Sequence, residues 1–307
     1  MQNKNQNQNQ KPKDKHRLGD RHDGKKLRNS DPFFKLMPYI MRTRMDSQVY
    51  FEEAVEIDEL EKYVRAKRAG DIPGLRMVHV FAAAALRMFA RNPALNRFVA
   101  GKNIYARNHF RLSMAVKRSM TFDAEETIIT PYFELDDTIY DVVKKLETEF
   151  ANTFDSGGST QNKTDDFAGI LKKTPGFLIR FVAFFARNLD KTGLMPKAIF
   201  DASPFHSSLF ITDVGSIGID AIYHHIYEFG TTSIFMAMGK KEPKLVMDGQ
   251  GNVAQKKTIT LRFVLDERIC DGFYYASAIR QMKRLLKKPH LLEQKPGEED
   301  VCSDPWI

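Results

Sequence analysis

Cysteine is scarce in this sequence: only Cys270 and Cys302 occur among its 307 residues. Two cysteines do not supply the disulfide framework of a small secreted domain, so the composition is typical of a protein in a reducing cytoplasm. Cys270 has no histidine near it in sequence that would activate the thiol. We therefore expect a packed cysteine rather than a nucleophile.

A hydrophobic run long enough to cross a membrane is also lacking. A span needs about 20 apolar residues, and the apolar stretch at residues 176–187 carries Arg180 in its middle. The polar, basic N-terminus argues against a signal peptide. We expect residues 176–187 to form a helix that packs on the core or covers a substrate channel. Contact with a membrane surface is the weaker alternative, since the phenylalanines and the flanking Lys172 and Lys173 suit an interfacial helix.

Little net charge remains once the first thirty residues are set aside. The chain carries +8 in total, but residues 1–30 hold nine Lys or Arg against three Asp. The rest is close to neutral, which argues against a nucleic-acid partner. Eight of the first ten residues are Gln or Asn, so we expect residues 1–30 to be a disordered basic leader. One domain is expected over 31–292, with an apolar insertion at about 170–200 and a polar tail at 293–307.

Hydrophobic periodicity predicts an α+β fold, a mixed β-sheet flanked by helices. Helices are expected to begin near Asp58, Met77, Asp136, Gly176 and Phe273. A hairpin turn is expected at Asp248–Gly251 and an exposed loop at Asp155–Asp166. The predicted strands are Tyr50–Ile57, Arg111–Val116, Thr127–Phe133, Ser208–Val214, Thr231–Gly239, Lys244–Met247 and Asn252–Val264.

The sequence indicates no metal site. His79 stands alone in the apolar run Met77–Phe89, without a second ligand at metal spacing. We interpret it as a core histidine.

The segment that most suggests chemistry is Asp266-Glu267-Arg268-Ile269-Cys270-Asp271-Gly272. It follows an alternating strand and precedes a helix whose apolar residues recur at helical spacing. Side chains at such a junction are held rigidly and still face a cleft.

This turn belongs to a set of motifs in a characteristic order, with Pro93–Asn96, Phe210–Gly218 and Ala237–Gly239. From about Pro38 to Leu292 the chain resembles the catalytic domain of the dihydrolipoamide acyltransferases of 2-oxoacid dehydrogenase complexes. The resemblance implies the fold of chloramphenicol acetyltransferase and a homotrimer with active sites between subunits. It also implies CoA or acyl-CoA as a substrate, and no metal.

The resemblance also implies roles for individual residues. In the family the turn reads Asp-His-Arg-x-x-Asp-Gly, and its histidine is the general base that deprotonates a thiol. Thr212 matches the hydroxyl that stabilises the oxyanion. Asp271 matches an aspartate that supports the turn through buried polar contacts, and Gly215, Ser216 and Arg268 are expected to bind substrate.

Glu267 stands where the family has histidine. A free thiol titrates near 8.5 and an ordinary Glu near 4.3, a mismatch of about four units. An apolar, water-poor channel would raise the pKa of the carboxyl group and reduce that mismatch. Two hypotheses remain open. One is an active CoA-dependent acyltransferase with Glu267 as base; the other is an inactive trimeric scaffold or acyl-CoA-binding protein, in which Glu267 forms a salt bridge with an arginine such as Arg42 or Arg44.

Three histidines near the Thr212 strand are candidates for a substitute base: His206, His224 and His225. We interpret each as a core or surface residue. No lipoyl domain is expected in this chain, so a lipoyl-bearing or other acyl-acceptor partner is expected to act in trans.

Overall fold

The structure, a computed structural model, describes residues 17–117, 126–154, 174–247, 249–297 and 300–306. The predicted loop Asp155–Asp166 and Asp248 of the predicted hairpin turn lie outside the described residues. The strands are β1 (Gly24–Lys26), β2 (Gln48–Glu56), β3 (Arg97–Ala100), β4 (Asn103–Arg107), β5 (Phe110–Lys117), β6 (Glu126–Ile129), β7 (Tyr132–Phe133), β8 (Leu209–Asp213), β9 (Ile234–Met247) and β10 (Val253–Asp266). The α-helices are α1 (Pro32–Ile40), α2 (Asp58–Ala69), α3 (Met77–Arg91), α4 (Ile139–Phe154), α5 (Gly176–Thr192), α6 (Lys197–Ala202) and α7 (Gly272–Lys287).

The main sheet has the strand order β2-β10-β9-β8-β5-β6, with β7 paired to β5. β8 pairs in parallel with both β5 and β9, while the other pairs of this sheet are antiparallel. A parallel pair needs a connection that carries the chain back to the starting edge, and α4 lies in the connection between β5 and β8. The predicted α+β fold with a mixed sheet is confirmed.

α3 is the central helix of the core. Val78–Ala90 are all buried, because this segment carries almost no polar side chain that would need water. It packs against α7 and α4. His79 is buried with them, and burial lowers the pKa of its imidazole to about 3, so the interpretation as a core histidine is confirmed.

β9 is one continuous strand where the sequence predicts two. It pairs with β10 along its whole length, and the register shifts between the pairs Ile259–Lys241 and Leu261–Met238. One extra residue of β9 is accommodated there as a β-bulge, which bends a strand without ending it. The bulge lies next to Gly239, whose backbone contacts the loop at Asp220 and Ala221.

Residues 17–30 of the predicted disordered leader are structured. Residues 1–16 lie outside the described part, but Arg17–Ser30 are described, so the expected disorder through residue 30 is wrong there. β1 joins a second sheet, β1-β4-β3, which the sequence did not predict. Arg21 is buried beneath α5, where its guanidinium pairs with Asp23 at 2.7 Å and with Asp190 at 3.0 Å.

The polar tail is docked on the body of the protein. Asp304 is 7% exposed and forms a bidentate ion pair with the buried Arg97, at 2.5 and 2.7 Å. The guanidinium of Arg97 stacks on the Trp306 ring at 3.8 Å. The Trp306 carbonyl accepts hydrogen bonds from the backbone N–H groups of Arg28 at 3.2 Å and Asn29 at 3.3 Å. The C-terminal residues therefore fasten the N-terminal segment to the core.

α5 forms where a helix was predicted, but it does not pack on the core as expected. Phe177, Phe181 and Phe184 are 77%, 60% and 64% exposed, and Asp190 is its buried residue. The apolar side chains of α5 thus face outward. Among the described helices, none combines the length and apolarity that a membrane crossing would require.

Replacing Asp304 by Asn should lower the free energy of unfolding by about 3 kcal/mol, because it leaves the buried Arg97 without its counter-ion. Urea unfolding followed by circular dichroism measures this change. The matched control is Asp136→Asn, which removes an exposed ion pair with Lys295 and should leave the unfolding midpoint unchanged. Equal effects of the two substitutions would contradict the docked tail.

Candidate active site

The turn after β10 is held by a buried ion pair within three residues. Asp266 is fully buried, and its carboxylate accepts from Nε and Nη2 of Arg268 at 2.8 and 2.7 Å. The Tyr275 hydroxyl donates to the Asp266 carbonyl at 2.7 Å. A bidentate pair with these further bonds fixes the backbone on both sides of residue 267.

Glu267 lies at the apex of this turn and is half-buried. Its backbone N–H donates to the Ser47 carbonyl at 2.8 Å, which ties the turn to the start of β2. Within the described part of this chain its carboxylate has no ion pair. The proposed salt bridge to Arg42 or Arg44 is therefore wrong here; Arg44 donates to the carbonyls of Val99 and Glu228 instead.

Asp271 does not make the buried contacts that the resemblance implied. It is exposed and caps α7, accepting from the Tyr274 N–H at 2.8 Å. Asp266 makes the buried polar contacts instead. It is the last residue of β10 and is fully buried, whereas Asp271 lies at the exposed start of α7. Cys270 is buried, and this burial raises the pKa of its thiol, which confirms that it is packed and unsuited to be a nucleophile.

Thr212 lies on β8, between the pairs that β8 forms with β5 and β9, and is 8% exposed. Its hydroxyl contacts Nε2 of His224 at 3.0 Å. The His224 ring stacks on Phe235 of β9, with centroids 4.7 Å apart and planes inclined by 25°. Phe235 in turn stacks on Phe210 at 4.4 Å. The imidazole is thus oriented by an aromatic stack and a hydroxyl.

Of the three candidate histidines, His224 is the one that lies beside Thr212. The interpretation of each histidine as a core or surface residue holds for His206, which is buried, and for His225, which is exposed. His224 is half-buried and lies beside Thr212, which makes it a functional candidate as well. Adjacent histidines look equivalent in sequence, and only the path of the loop between β8 and β9 separates them.

Gly215 and Ser216 form a short 3₁₀ turn directly after β8. A Cβ atom on Gly215 would overlap the backbone carbonyl of Gly239, so the two segments approach more closely than any side chain permits. Ser216 donates from its hydroxyl to the Asp213 carbonyl at 2.6 Å and from its N–H to the Asp213 carboxylate at 3.1 Å. Burial raises the pKa of that carboxyl group.

Thr212 and Glu267 do not meet within one chain. Thr212 pairs with Ala237 of β9, and Ala237 pairs with Arg262 of β10. Glu267 is five residues beyond Arg262, which is about 16 Å along a strand, and two strand spacings add about 10 Å across the sheet. The hydroxyl and the carboxylate of one chain therefore lie too far apart to act on the same bond.

A cavity of about 560 Å³ lies elsewhere, beside Arg111, Tyr132 and Glu149. Neither Thr212 nor Glu267 lines it. Its size alone would make it a candidate binding site, but it holds none of the residues that the motifs single out. In the described part of the chain, no group of His, Cys, Asp and Glu could hold a metal ion.

Residues 205–293 match the family described as 2-oxoacid dehydrogenases acyltransferase (catalytic domain). This range is less than a third of the chain, and it includes Thr212, His224 and the whole turn from Asp266 to Gly272. No curated protein matches the sequence.

Solved structures extend the similarity to most of the fold. A probable dihydrolipoamide acetyltransferase from Listeria monocytogenes has 16% identity and a TM-score of 0.52, covering 86% of this chain and 95% of that one. A truncated catalytic core of the 2-oxoacid dehydrogenase multienzyme complex from Thermoplasma acidophilum has 13% identity and a TM-score of 0.51, covering 84% and 93%. The dihydrolipoamide acetyltransferase of Azotobacter vinelandii has 15% identity and a TM-score of 0.50, covering 84% and 87%. The resemblance and the acyltransferase fold are confirmed.

Replacing Gly215 by Ala should lower the free energy of unfolding by about 2 kcal/mol, because the added methyl group collides with the Gly239 backbone. Thermal unfolding measures the loss. Gly176→Ala is the matched control, since a Cβ there meets no atom within 4 Å. An unchanged melting temperature for Gly215→Ala would show that the two segments are not in close contact.

Proposed function

We propose that this protein is a CoA-dependent acyltransferase that moves an acyl group between CoA and a thiol or other acceptor. The observation that carries the proposal is the Thr212 hydroxyl, oriented by His224 at 3.0 Å, in the region that matches the acyltransferase family. A buried hydroxyl with a fixed direction suits the stabilisation of charge that develops on a thioester oxygen.

His224 determines which way the Thr212 hydroxyl points. When Nε2 of His224 carries the hydrogen, it donates to the Thr212 oxygen, and the hydroxyl hydrogen remains available to the oxyanion. The stack on Phe235 keeps the imidazole in the plane that this bond requires. His224 is thus a positioning residue for the oxyanion donor.

Glu267 is the proposed general base. Its carboxylate has no ion pair within the described residues of this chain, so its oxygens are available to a thiol. In the reaction, Glu267 takes the proton of the acceptor thiol, and the thiolate attacks the acyl carbonyl to form a new carbon–sulfur bond. The tetrahedral intermediate then expels CoA as a thiolate, which recovers the proton from Glu267.

A homotrimer with sites between subunits would bring the two residues together. Their separation within one chain supports this proposal, because a hydroxyl and a base that lie about 16 Å apart along the strand direction cannot act on the same bond. A second chain would supply Glu267 to the Thr212 of the first. A lipoyl-bearing partner acting in trans, in the cytoplasm, is the proposed acyl acceptor.

Thr212→Val should lower kcat for transfer from acetyl-CoA to dihydrolipoamide by about 10²–10³-fold, because it removes the oxyanion donor. Glu267→Gln should lower kcat by about 10²-fold or more and abolish its dependence on carboxylate ionisation. Steady-state kinetics across pH measure both effects.

His224→Asn should lower kcat, while the exposed neighbour His225→Asn should not. CoA binding without turnover in the wild type would favour an acyl-CoA-binding protein, and unchanged turnover in Glu267→Gln would refute the assigned base.

Mixed oligomers of two inactive variants should recover activity if each site is shared. Chains with Thr212→Val and chains with Glu267→Gln would be co-expressed with different tags and purified as mixed assemblies. In a cyclic trimer that contains both variants, one of the three interfaces keeps both residues intact, so about one third of the sites are complete. Recovery to about that fraction supports a shared site, whereas residual activity alone would place both groups in one chain.

A further inference from the structure

A small pocket of about 70 Å³ lies between the end of α1, the last turns of α5 and the turn after β10. We call it the arginine pocket. Its charged lining residues are five cations, Arg42, Arg44, Arg187, Lys191 and Arg268, and two acids, Asp190 and Glu228.

The two acids do not neutralise this lining. Asp190 pairs with Arg21 at 3.0 Å and lies 3.3 Å from the His206 imidazole, so its charge is already engaged outside the pocket. Glu228 is exposed, and its carboxylate accepts from the Met45 N–H at 3.0 Å. The field in the pocket is therefore positive.

Arg44 is the most unusual residue of the pocket. It is 6% exposed, and its guanidinium donates to the Val99 carbonyl at 2.8 Å and the Glu228 carbonyl at 3.3 Å. Its Nε has no hydrogen-bond partner among the described residues. Asp266, Asp190 and Glu228 attract its charge without forming an ion pair with it. Burial lowers its pKa, as expected for a cation removed from water. A buried charge without a counter-ion is costly unless something pairs with it.

Arg107 is a second buried arginine near Arg44, and its Nε and Nη1 also lack partners among the described residues. The other buried arginines of this region are paired: Arg21 with Asp23 and Asp190, and Arg268 with Asp266.

We propose that the arginine pocket binds a phosphate group. A guanidinium fork matches the oxygens of phosphate, and one bound anion would balance the excess charge. A water molecule occupies about 30 Å³ in the liquid, so a pocket of about 70 Å³ accepts a phosphate group but not a nucleotide ring. The group is either free inorganic phosphate or the terminal phosphate monoester of a larger ligand that lies outside.

The position of the pocket gives the anion a structural consequence. Arg268 lines the pocket and also holds Asp266 in the turn that carries Glu267. A bound phosphate would therefore join the cationic end of α5 to the base of that turn. This inference concerns binding, and it does not depend on acyl transfer.

Thermal unfolding of the full chain in potassium phosphate, against potassium chloride at equal ionic strength, tests the proposal. Phosphate should raise the melting temperature of the wild type by about 5 °C at a hundredfold excess over Kd. Titration calorimetry with inorganic phosphate should give a Kd that Arg187→Gln weakens by about fivefold. Arg180→Gln is the control, because Arg180 is on the same helix outside the pocket. Arg44→Met should lose the response to phosphate.

Adenosine 3′,5′-bisphosphate distinguishes the two sources of the group. If it binds more tightly than inorganic phosphate and competes with it, the phosphate belongs to a larger ligand; if it does not, the free ion is the ligand. The proposal is overturned if phosphate acts no differently from chloride, or if acetate replaces it. It is also overturned if Arg180→Gln and Arg187→Gln weaken binding equally, or if Arg44→Met dissociates an oligomer while phosphate has no effect, since a partner's carboxylate would then fill the pocket.

Discussion

The buried ion pair between Asp266 and Arg268 is the interaction on which both the turn at Glu267 and the arginine pocket depend. It closes the turn after β10 with two short hydrogen bonds, at 2.8 and 2.7 Å, in a place that water does not reach. Because the pair is bidentate and buried, the backbone at Glu267 has one conformation rather than several. The same arginine forms one wall of the arginine pocket. A single charged contact therefore sets the direction of the proposed base and the shape of the pocket beside it.

The proposed oxyanion donor depends on a different constraint, the packing of aromatic rings around β8 and β9. Phe210, Phe235 and His224 form a continuous stack, and the last ring of that stack contacts the Thr212 hydroxyl. The close approach of Gly215 to Gly239 keeps the following turn against the sheet. Neither constraint involves the turn at Glu267, so the chain holds Thr212 and Glu267 in place independently of each other. This division suits a site that is completed by another chain.

Periodicity predicts elements well where one face is uniformly buried. α3 is almost entirely apolar and β10 alternates over Thr258–Phe263, so both could be predicted from the local sequence alone. Prediction failed where long-range contacts decide the structure. The strand β1 exists because Arg21 and Asp23 are buried under α5, and the acidic tail is ordered because Asp304 reaches Arg97. Local patterns carry no information about partners 169 or 207 residues away.

The sequence by itself determined the fold class and the strand–turn–helix at Asp266–Gly272, because these depend on short-range patterns and on motifs in a specific order. Only the tertiary structure decided that Asp266 rather than Asp271 is the buried acid, that His224 is the histidine beside Thr212, and that α5 turns its phenylalanines outward. Each of these depends on which surfaces meet, and residues with identical local chemistry, such as His224 and His225, receive different environments from the path of the chain.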